Sequence, residues 1–187
     1  MNTTSAGGTA RLREPESRDG VALHALIAAC PPLDQNSVYC NLLQCTHFAS
    51  TSVVAEKHGE LVGAISGYRV PERPDTLFVW QVAVGEDARG EGLASRMLAH
   101  LVDREGSADI NYMETTITGD NQPSWSLFER FASDREAALE HHVLFERTAH
   151  FADQHPSEHL LRIGPISRAP AAPEESQKST ATKGNTA

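Results

Sequence analysis

The spacing of apolar residues in the first quarter of the chain predicts one short strand and two helices. The strand covers 11–13, and the first helix starts after a cap at Ser17 and ends before Pro31. The apolar face of this helix comprises Leu23, Leu26, Ile27 and Cys30. A second helix is predicted over 36–48, and its apolar face comprises Tyr39, Leu42 and Leu43.

Strand patterns follow this helical region. Two strands, 51–57 and 60–69, are predicted around a hairpin turn at Gly59. Two prolines then break the chain before 76–84, where nearly every residue is apolar. Such a run predicts a central strand that is buried on both faces.

The second half of the chain alternates helix and strand. Helices are predicted over 89–104 and 122–135, a strand over 112–118, and two late strands over 142–146 and 159–163. Hairpin strands followed by alternating strands and helices indicate an α/β domain. We therefore expect a mixed central β-sheet flanked by helices, with right-handed crossovers in its second half.

Both ends of the chain differ from the middle in composition. Residues 1–10 are small and polar, and the chain after Arg168 contains no large apolar residue. Such segments bury too little surface to offset the entropy lost on ordering. We expect disordered ends over 1–10 and 167–187 and one folded domain over 11–166.

Charge and composition exclude several classes of function. The formal net charge of −9 argues against nonspecific nucleic-acid binding and favours a cationic substrate. No apolar stretch approaches the ~20 residues that span a bilayer, and no secretory signal precedes the domain. Three cysteines without metal-like or redox-like spacing fit a reducing compartment. We expect a cytoplasmic protein without a membrane partner, in which an anionic cofactor needs a dedicated local site.

The most informative segment runs from 81 to 94, where a strand, a short loop and a glycine-rich turn lead into a helix. A helix start leaves backbone N–H groups unpaired and adds partial positive charge. Gly90 and Gly92 let the backbone approach a ligand closely, and Arg89 adds a full charge. These features predict a cradle for a diphosphate. The alternative is a tight turn in which the glycines serve conformation alone.

Two other phosphate-binding motifs fit this segment less well. A dinucleotide-binding motif requires Gly-x-Gly-x-x-Gly, but Ser95 stands where the third glycine would be, and hairpin strands come first. A Walker loop is excluded because the sequence has no Gly-Lys-Ser/Thr.

The same segment resembles the Gln/Arg-x-x-Gly-x-Gly/Ala signature of the Gcn5-related N-acetyltransferases (GNAT). A second motif, from Asn121 to Phe128, is similar to the Asn-x-x-Ala/Ser-x-x-Leu-Tyr that this family commonly carries. The resemblance covers nearly the whole domain and implies a GNAT fold and acetyl-coenzyme A as cosubstrate. It also implies the cofactor contacts: backbone groups of Val82 and Val84 for the pantetheine amides, amides of Arg89, Gly90, Gly92, Leu93 and Ala94 for the diphosphate, and Asn121 and Ser124 for the coenzyme arm.

One residue departs from the family pattern. The family often has a tyrosine at position 128, whose hydroxyl can protonate the leaving thiolate, but this chain has Phe128. Either solvent or another acid must then take this role. Tyr39 and Tyr112 are the candidates.

A narrower resemblance concerns the acetyl acceptor. Segments 32–39, 78–81 and 155–163 resemble one branch of the family, the enzymes that acetylate L-2,4-diaminobutyrate in ectoine biosynthesis, a route of osmoprotection. This implies a homodimer and a small diamine as substrate. The substrate and catalytic residues that it implies are Asp34, Asn36, Ser37, Tyr39, Trp80, His155 and Glu158.

These residue types suit a diamine. A carboxylate such as Asp34 pairs with an ammonium group, and Trp80 offers a cation–π face. Glu158, His155 or Asp34 could accept the proton of the attacking amine. Structural roles are the alternatives: Asp34, Asn36 or Ser37 as helix caps, Trp80 as core, His155 and Glu158 as loop residues.

Three functional alternatives remain at this stage. The chain could acetylate another small amine or a protein amine, or it could be a noncatalytic sensor of acyl-coenzyme A. The nine histidines lack metal-ligand spacing, so we expect no metal.

Overall fold

The computed structural model describes residues 9–167 of the chain. The predicted disordered ends therefore lie outside the described residues, except for their innermost positions. Ala10 is one of these, and it is buried. Its carbonyl oxygen accepts a hydrogen bond from Arg96 Nη2 at 2.9 Å, so the packed domain extends at least to Ala10.

Seven strands and five α-helices make up the described chain. The strands are β1 (Arg11–Arg13), β2 (Val53–Lys57), β3 (Glu60–Val70), β4 (Arg73–Val84), β5 (Tyr112–Thr118), β6 (Leu139–Phe145) and β7 (Glu158–Ile163). The helices are α1 (Gly20–Ala28), α2 (Val38–Gln44), α3 (Leu93–Asp103), α4 (Gln122–Asp134) and α5 (Arg147–Phe151).

All strands join one mixed sheet in the order β1-β2-β3-β4-β5-β7-β6. The neighbours β4 and β5 are parallel and are connected through α3, whereas every other neighbouring pair is antiparallel. Helices cover both faces of this sheet. The predicted α/β domain with a mixed central sheet is confirmed.

Two apolar cores lie on opposite sides of the sheet. The larger core packs α3 and α4 against the strands, through residues that include Leu77, Val79, Met97, Leu101 and Phe128. The smaller core packs α1 against β2, β3 and β4, through residues that include Leu23, Ile27, Val54, Ala64 and Ala83. The helical face predicted for α1 is thus the face that it buries.

The first two helices begin later than predicted. Ser17 lies inside a 3₁₀ turn instead of capping α1, because Glu16 and Asp19 bond each other's backbone in a reciprocal capping box. Ser37 caps α2: its Oγ accepts a hydrogen bond from the N–H of Cys40 at 3.1 Å. Neither Asp34 nor Asn36 caps this helix, so their side chains are available for other contacts.

Strand β4 starts before the predicted position and includes Pro74. The β3–β4 register is interrupted at this point, between Arg69 and Val70, so the missing N–H of the proline breaks no regular ladder. The carbonyl oxygen of Pro74 accepts a hydrogen bond from Arg69 Nη1 at 2.7 Å. In the C-terminal part, β6 begins at Leu139, and the short helix α5 was not predicted.

A β-bulge interrupts β4 at Trp80. Ser66 pairs with Gln81 and Gly67 pairs with Val79, which leaves Trp80 as the extra residue. Its side chain is 43% exposed, so the prediction of a strand buried on both faces is wrong at this position. The extra residue also inverts the alternation of β4: Val79 packs in the α3–α4 core, whereas Ala83 packs in the α1 core.

Candidate active site

The two parallel strands at the centre of the sheet, β4 and β5, separate at the bulge. Their pairing runs from Thr76 opposite Tyr112 to Val79 opposite Thr115. Beyond Val79, β4 pairs only with β3 among the described residues. A cleft therefore opens at the carboxyl ends of β4 and β5, the position where ligands bind in parallel α/β sheets.

The backbone of β4 turns polar groups toward this cleft. The N–H of Gly85 donates to the carbonyl oxygen of Val62 at 2.9 Å, which makes Val84 and Gly63 a non-hydrogen-bonded pair. Hydrogen-bonding direction alternates along a strand, so the peptide groups of Val82 and Val84 point away from β3. These are the two residues predicted to pair with the pantetheine amides.

The glycine-rich turn precedes α3 and differs from its predicted form. The helix begins at Leu93 instead of residue 89, because Gly90 and Gly92 adopt positive φ angles of 78° and 69°. This left-handed conformation favours glycine and is incompatible with a helical start. Arg89 accordingly has an extended backbone, and its Nε donates to the carbonyl oxygen of Val84 at 3.1 Å.

The start of α3 leaves backbone donors free. The N–H of Arg96 makes the first intrahelical bond, to the carbonyl oxygen of Gly92 at 3.1 Å. No described residue accepts a hydrogen bond from the N–H groups of Gly92, Leu93, Ala94 or Ser95. A Cβ atom on Gly90 or Gly92 would meet nothing within 4 Å, so open space faces this turn.

A cleft of about 370 Å³ lies between the first turns of α3 and α4. It is lined by Val82, Ala94, Ser95, Pro123, Ser124, Ser126, Leu127 and Arg130. Asn121 caps α4, since its Oδ1 accepts a hydrogen bond from the N–H of Ser124 at 3.2 Å. Of the predicted cofactor residues, Val82, Ala94 and Ser124 line this cleft, and they come from both motifs.

On the acceptor side, the loop between α1 and α2 is attached to β4. Asn36 Nδ2 donates to Gln81 Oε1 at 2.9 Å, and Gln81 Nε2 donates to the carbonyl oxygen of Asp34 at 2.8 Å. The side chain of Asn36 is therefore engaged with the protein itself. The side chain of Asp34 is exposed, and no described residue binds its carboxylate.

Glu158 is the first residue of β7 and pairs with Thr118, the last residue of β5. It therefore lies at the end of the sheet where the cleft opens. Its side chain is 18% exposed, and Oε1 lies 3.9 Å from Nε2 of His155. Burial raises the pKa of the Glu158 carboxyl, and the negative charge of Asp34 raises it further. The charge of His155 and a hydrogen bond from Thr116 act in the opposite direction and lower this pKa in part.

Trp80 belongs to an aromatic group that also contains Tyr68 and Phe78. Its ring meets Tyr68 edge-on at 6.4 Å, and Tyr68 stacks on Phe78 at 5.1 Å. The exposed part of the Trp80 ring can meet a cation. Sequence reasoning missed Tyr68, which only the β3–β4 register places beside Phe78.

Comparison with known proteins identifies the family. The family model described as the acetyltransferase (GNAT) family matches residues 21–132. The chain belongs to the GNAT acetyltransferase family. The L-2,4-diaminobutyric acid acetyltransferase of Methylotuvimicrobium alcaliphilum is 55% identical over 155 residues, which cover 83% of this chain and 90% of that protein.

Two further relatives agree with this assignment. The L-2,4-diaminobutyric acid acetyltransferase of Vibrio cholerae is 51% identical over 153 residues, covering 81% of this chain and 87% of that protein. Among solved structures, the diaminobutyrate acetyltransferase EctA of Paenibacillus lautus, in complex with its substrate L-2,4-diaminobutyric acid and coenzyme A, matches with a TM-score of 0.80. Its identity is 38%, and the match covers 84% of this chain and 96% of that one. The predicted GNAT fold is confirmed.

The GNAT position usually held by tyrosine is part of the core in this chain. Phe128 is 2% exposed and packs beneath α4. Tyr112 is excluded as the replacement acid, because it starts β5 at the end opposite the cleft and its ring lies 4.0 Å from the Arg162 guanidinium. Tyr39 is 70% exposed on α2, and no described residue forms a hydrogen bond with its hydroxyl.

Arg130 is a cleft residue that sequence reasoning missed. It is exposed on α4 and lines the cleft together with Leu127, one helical turn earlier. Its helical spacing from Leu127 was the signal that could have identified it.

Residues 9–167 contain neither a metal-binding cluster nor a membrane-spanning helix. No group of three or more His, Cys, Asp or Glu residues there is arranged to hold a metal ion. None of the helices in this range has the length and apolar character needed to span a membrane.

Proposed function

We propose that this GNAT enzyme transfers the acetyl group of acetyl-coenzyme A to the γ-amine of L-2,4-diaminobutyrate, giving N4-acetyl-L-2,4-diaminobutyrate for ectoine biosynthesis. The observation that carries this proposal is the cleft itself: free N–H groups at the start of α3 follow the separated strand β4, and Gln81 of the same strand binds the backbone of Asp34. Glu158 lies at the same end of the sheet, opposite the last residue of β5. High identity to diaminobutyrate acetyltransferases over most of the chain supports the choice of substrate.

The cleft suits the anionic part of coenzyme A. The free N–H groups from Gly92 to Ser95 and the helix dipole favour a diphosphate, and the open space at Gly90 leaves room for it. Arg89 and Arg130 add positive charge locally in a chain whose net charge is −9. The backbone of Val82 and the N–H of Val84, whose carbonyl oxygen already accepts from Arg89, would continue the site along the pantetheine arm.

Glu158 is the residue that we assign as the general base. An amine with a pKa of ~10 must lose a proton before it attacks, which costs about 4 kcal/mol near pH 7. The raised pKa of Glu158 makes its carboxylate a stronger proton acceptor than an exposed glutamate. His155, 3.9 Å from this carboxylate, can pass the proton on to solvent.

Asp34 and Trp80 orient the diamine. Asp34 pairs with the ammonium group that does not react, and Trp80 provides an aromatic surface beside it. With one end held, only the γ-amine reaches the thioester, and this positioning lowers the barrier by several kcal/mol. Ser37 acts as the cap of α2 and supports the loop that carries Asp34.

The thioester supplies the electrophilic carbonyl, and the protein must stabilise the oxyanion that forms on it. The N–H of Val82, which points into the cleft, is positioned for this role, and one such donor is worth ~3–4 kcal/mol. Tyr39 stays the tyrosine proposed to protonate the thiolate, with solvent as the alternative. A Tyr39→Phe variant with unchanged kcat would assign this step to solvent.

An acetyl-transfer assay with several amines tests the proposal. The protein is incubated with acetyl-coenzyme A and, separately, with diaminobutyrate, lysine and spermidine, and the products are identified by mass spectrometry. We expect N4-acetyl-diaminobutyrate with the highest kcat/KM. Faster acetylation of lysine or spermidine would indicate another small-amine acetyltransferase, and cofactor binding without turnover of any amine would indicate an acyl-coenzyme A sensor.

The proposal includes assembly and cellular location. The edge strand β6 exposes Val143, Leu144 and Phe145, which supports a homodimer because exposed apolar strand residues commonly mark interfaces. Analytical ultracentrifugation would detect this dimer.

The free cysteines Cys30, Cys40 and Cys45 suit the reducing cytoplasm.

A further inference from the structure

Gln81 lies where the acceptor side of the site meets the central strand. It follows Trp80 directly in β4, and it is 9% exposed. Its side-chain amide makes two directed hydrogen bonds, one as donor to the Asp34 carbonyl oxygen at 2.8 Å and one as acceptor from Asn36 Nδ2 at 2.9 Å. One side chain therefore ties the loop between α1 and α2 to β4.

The start of this loop has its own attachment to β4. The thiol of Cys30 donates to the carbonyl oxygen of Val84 at 3.4 Å, and Leu33 packs against the α1 core. Gln81 holds the other end of the loop, where the substrate-facing residues lie. Without Gln81, the segment from Leu33 to the cap at Ser37 has no other described side-chain bond to β4.

The backbone and the side chain of Asp34 have different environments. Its carbonyl oxygen is fixed by Gln81, whereas its carboxylate is exposed and unbound among the described residues. The charge of this carboxylate nevertheless contributes to raising the pKa of Glu158. The charges of Asp34 and Glu158 therefore interact, and the position of the Asp34 side chain depends on a bond made through its backbone.

We propose that Gln81 is a positioning residue that sets the Asp34 carboxylate relative to Trp80 and thereby determines the affinity for the ammonium group of the amine. This inference rests on the proposed function, in which Asp34 pairs with that ammonium group. Gln81 does not touch the substrate. Asn36 acts through the same amide, so it supports the loop instead of binding the diamine.

The chemistry of the side chain defines two informative variants. Gln81→Met keeps the length and volume of the side chain but removes both hydrogen bonds. Gln81→Glu keeps an acceptor for Asn36 but loses the donor to Asp34, so a carboxylate then faces a carbonyl oxygen. Gln44→Met is a matched control, because Gln44 is also buried but its Oε1 accepts from Asn41 Nδ2 at 2.8 Å within α2.

Steady-state kinetics of the full chain with both substrates tests the proposal. We expect Gln81→Met and Gln81→Glu to raise the KM for diaminobutyrate at least tenfold and to leave the KM for acetyl-coenzyme A within twofold. Gln44→Met should change neither value beyond twofold. An equal rise in both KM values, or an unchanged KM for diaminobutyrate, would overturn the proposal. If Gln81→Met fails to fold, Gln81→Glu decides by the same comparison.

Hydrogen exchange without ligand provides a readout that does not depend on the substrate. The amides of residues 33–37 should exchange faster in Gln81→Met than in the wild type, and at the wild-type rate in Gln44→Met. Unchanged exchange in Gln81→Met would contradict the proposed attachment. If the wild type prefers another amine, the proposed function fails, but the exchange result still decides whether Gln81 holds the loop.

Discussion

The hydroxyl of Thr115 donates a hydrogen bond to the carbonyl oxygen of Val79 at 3.0 Å, at the last residue pair before β4 and β5 separate. Both residues are buried. This bond satisfies a carbonyl group at the base of the cleft and fixes the point at which the two strands part. The shape of the cofactor site therefore depends on a residue outside both sequence motifs.

A Thr115→Val variant should weaken cofactor use. It removes the side-chain hydrogen bond to the buried Val79 carbonyl, and such a bond contributes about 0.5–1.5 kcal/mol. We expect the KM for acetyl-coenzyme A to rise about fivefold, which corresponds to roughly 1 kcal/mol. Steady-state kinetics measures this change.

Thr51→Val is the matched control for this change. Its hydroxyl also donates to a buried carbonyl oxygen, that of Gly67 at 2.7 Å, but Gly67 pairs with Val79 from β3, on the edge of β4 opposite the one that faces β5 and the cleft. Both variants should lose similar thermal stability. A similar rise in KM for both would show that Thr115 acts through stability alone.

Glu158→Gln should abolish most turnover while preserving the fold. Loss of a general base typically lowers kcat by 10²–10⁴. Because burial raises the pKa of Glu158, wild-type kcat/KM should fall, as pH decreases, at a higher pH than an ordinary glutamate would give. The variant should lack this acid limb. A pH–rate profile of both proteins checks this, and an unchanged acid limb would remove Glu158 from the role of base.

Thermal unfolding provides the control for this variant. A carboxyl whose pKa is raised by folding stabilises the protein below its unfolded pKa, and this contribution is lost as pH rises through the folded pKa. Glutamine resembles the protonated form, so above that pKa Glu158→Gln should melt at or above the wild-type Tm. A strongly lowered Tm would indicate that the loss of turnover reflects unfolding.

Asp34→Asn should have two separable effects. Removal of the carboxylate weakens binding of the substrate ammonium, so the KM for diaminobutyrate should rise about tenfold or more, as expected for a lost charge-assisted hydrogen bond. The charge of Asp34 also raises the pKa of Glu158, so its removal should move the acid limb to lower pH. A limb that stays in place would show that the two carboxylates are not coupled.

Much of the fold could be predicted because each element has a local pattern. Strand β5 was predicted at its observed bounds, Tyr112–Thr118, since Gly119 ends the segment. The two motifs also indicated the start of α4 and the turn before α3. These features depend on short stretches of neighbouring residues.

The remaining features depend on contacts between distant residues. The bulge at Trp80 is hidden because nearly every residue of segment 76–84 is apolar, so an extra residue leaves no visible break in an alternation of polar and apolar positions. The attachment of Asp34 to Gln81 joins residues 47 positions apart. No local pattern encodes such a bond, and Gln81 was accordingly absent from the predicted site residues.

Gly92→Ala should impair cofactor binding specifically. Its φ of 69° is unfavourable for alanine by roughly 1–2 kcal/mol, and relaxation would reorient the free N–H groups before α3. We expect a clear rise in the Kd of coenzyme A, measured by calorimetry. Gly59→Ala, at a φ of 85° in the β2–β3 hairpin, carries similar strain and should bind with the wild-type Kd. Equal weakening in both variants would count against the cradle.

The most direct test of the account is backbone amide NMR of the protein titrated with coenzyme A. We expect the largest chemical-shift changes at the amides from Gly90 to Ser95 and at Val82 and Val84, the groups that face the cleft. The absence of changes, or changes confined to other parts of the sheet, would contradict the assignment of this cleft as the cofactor site.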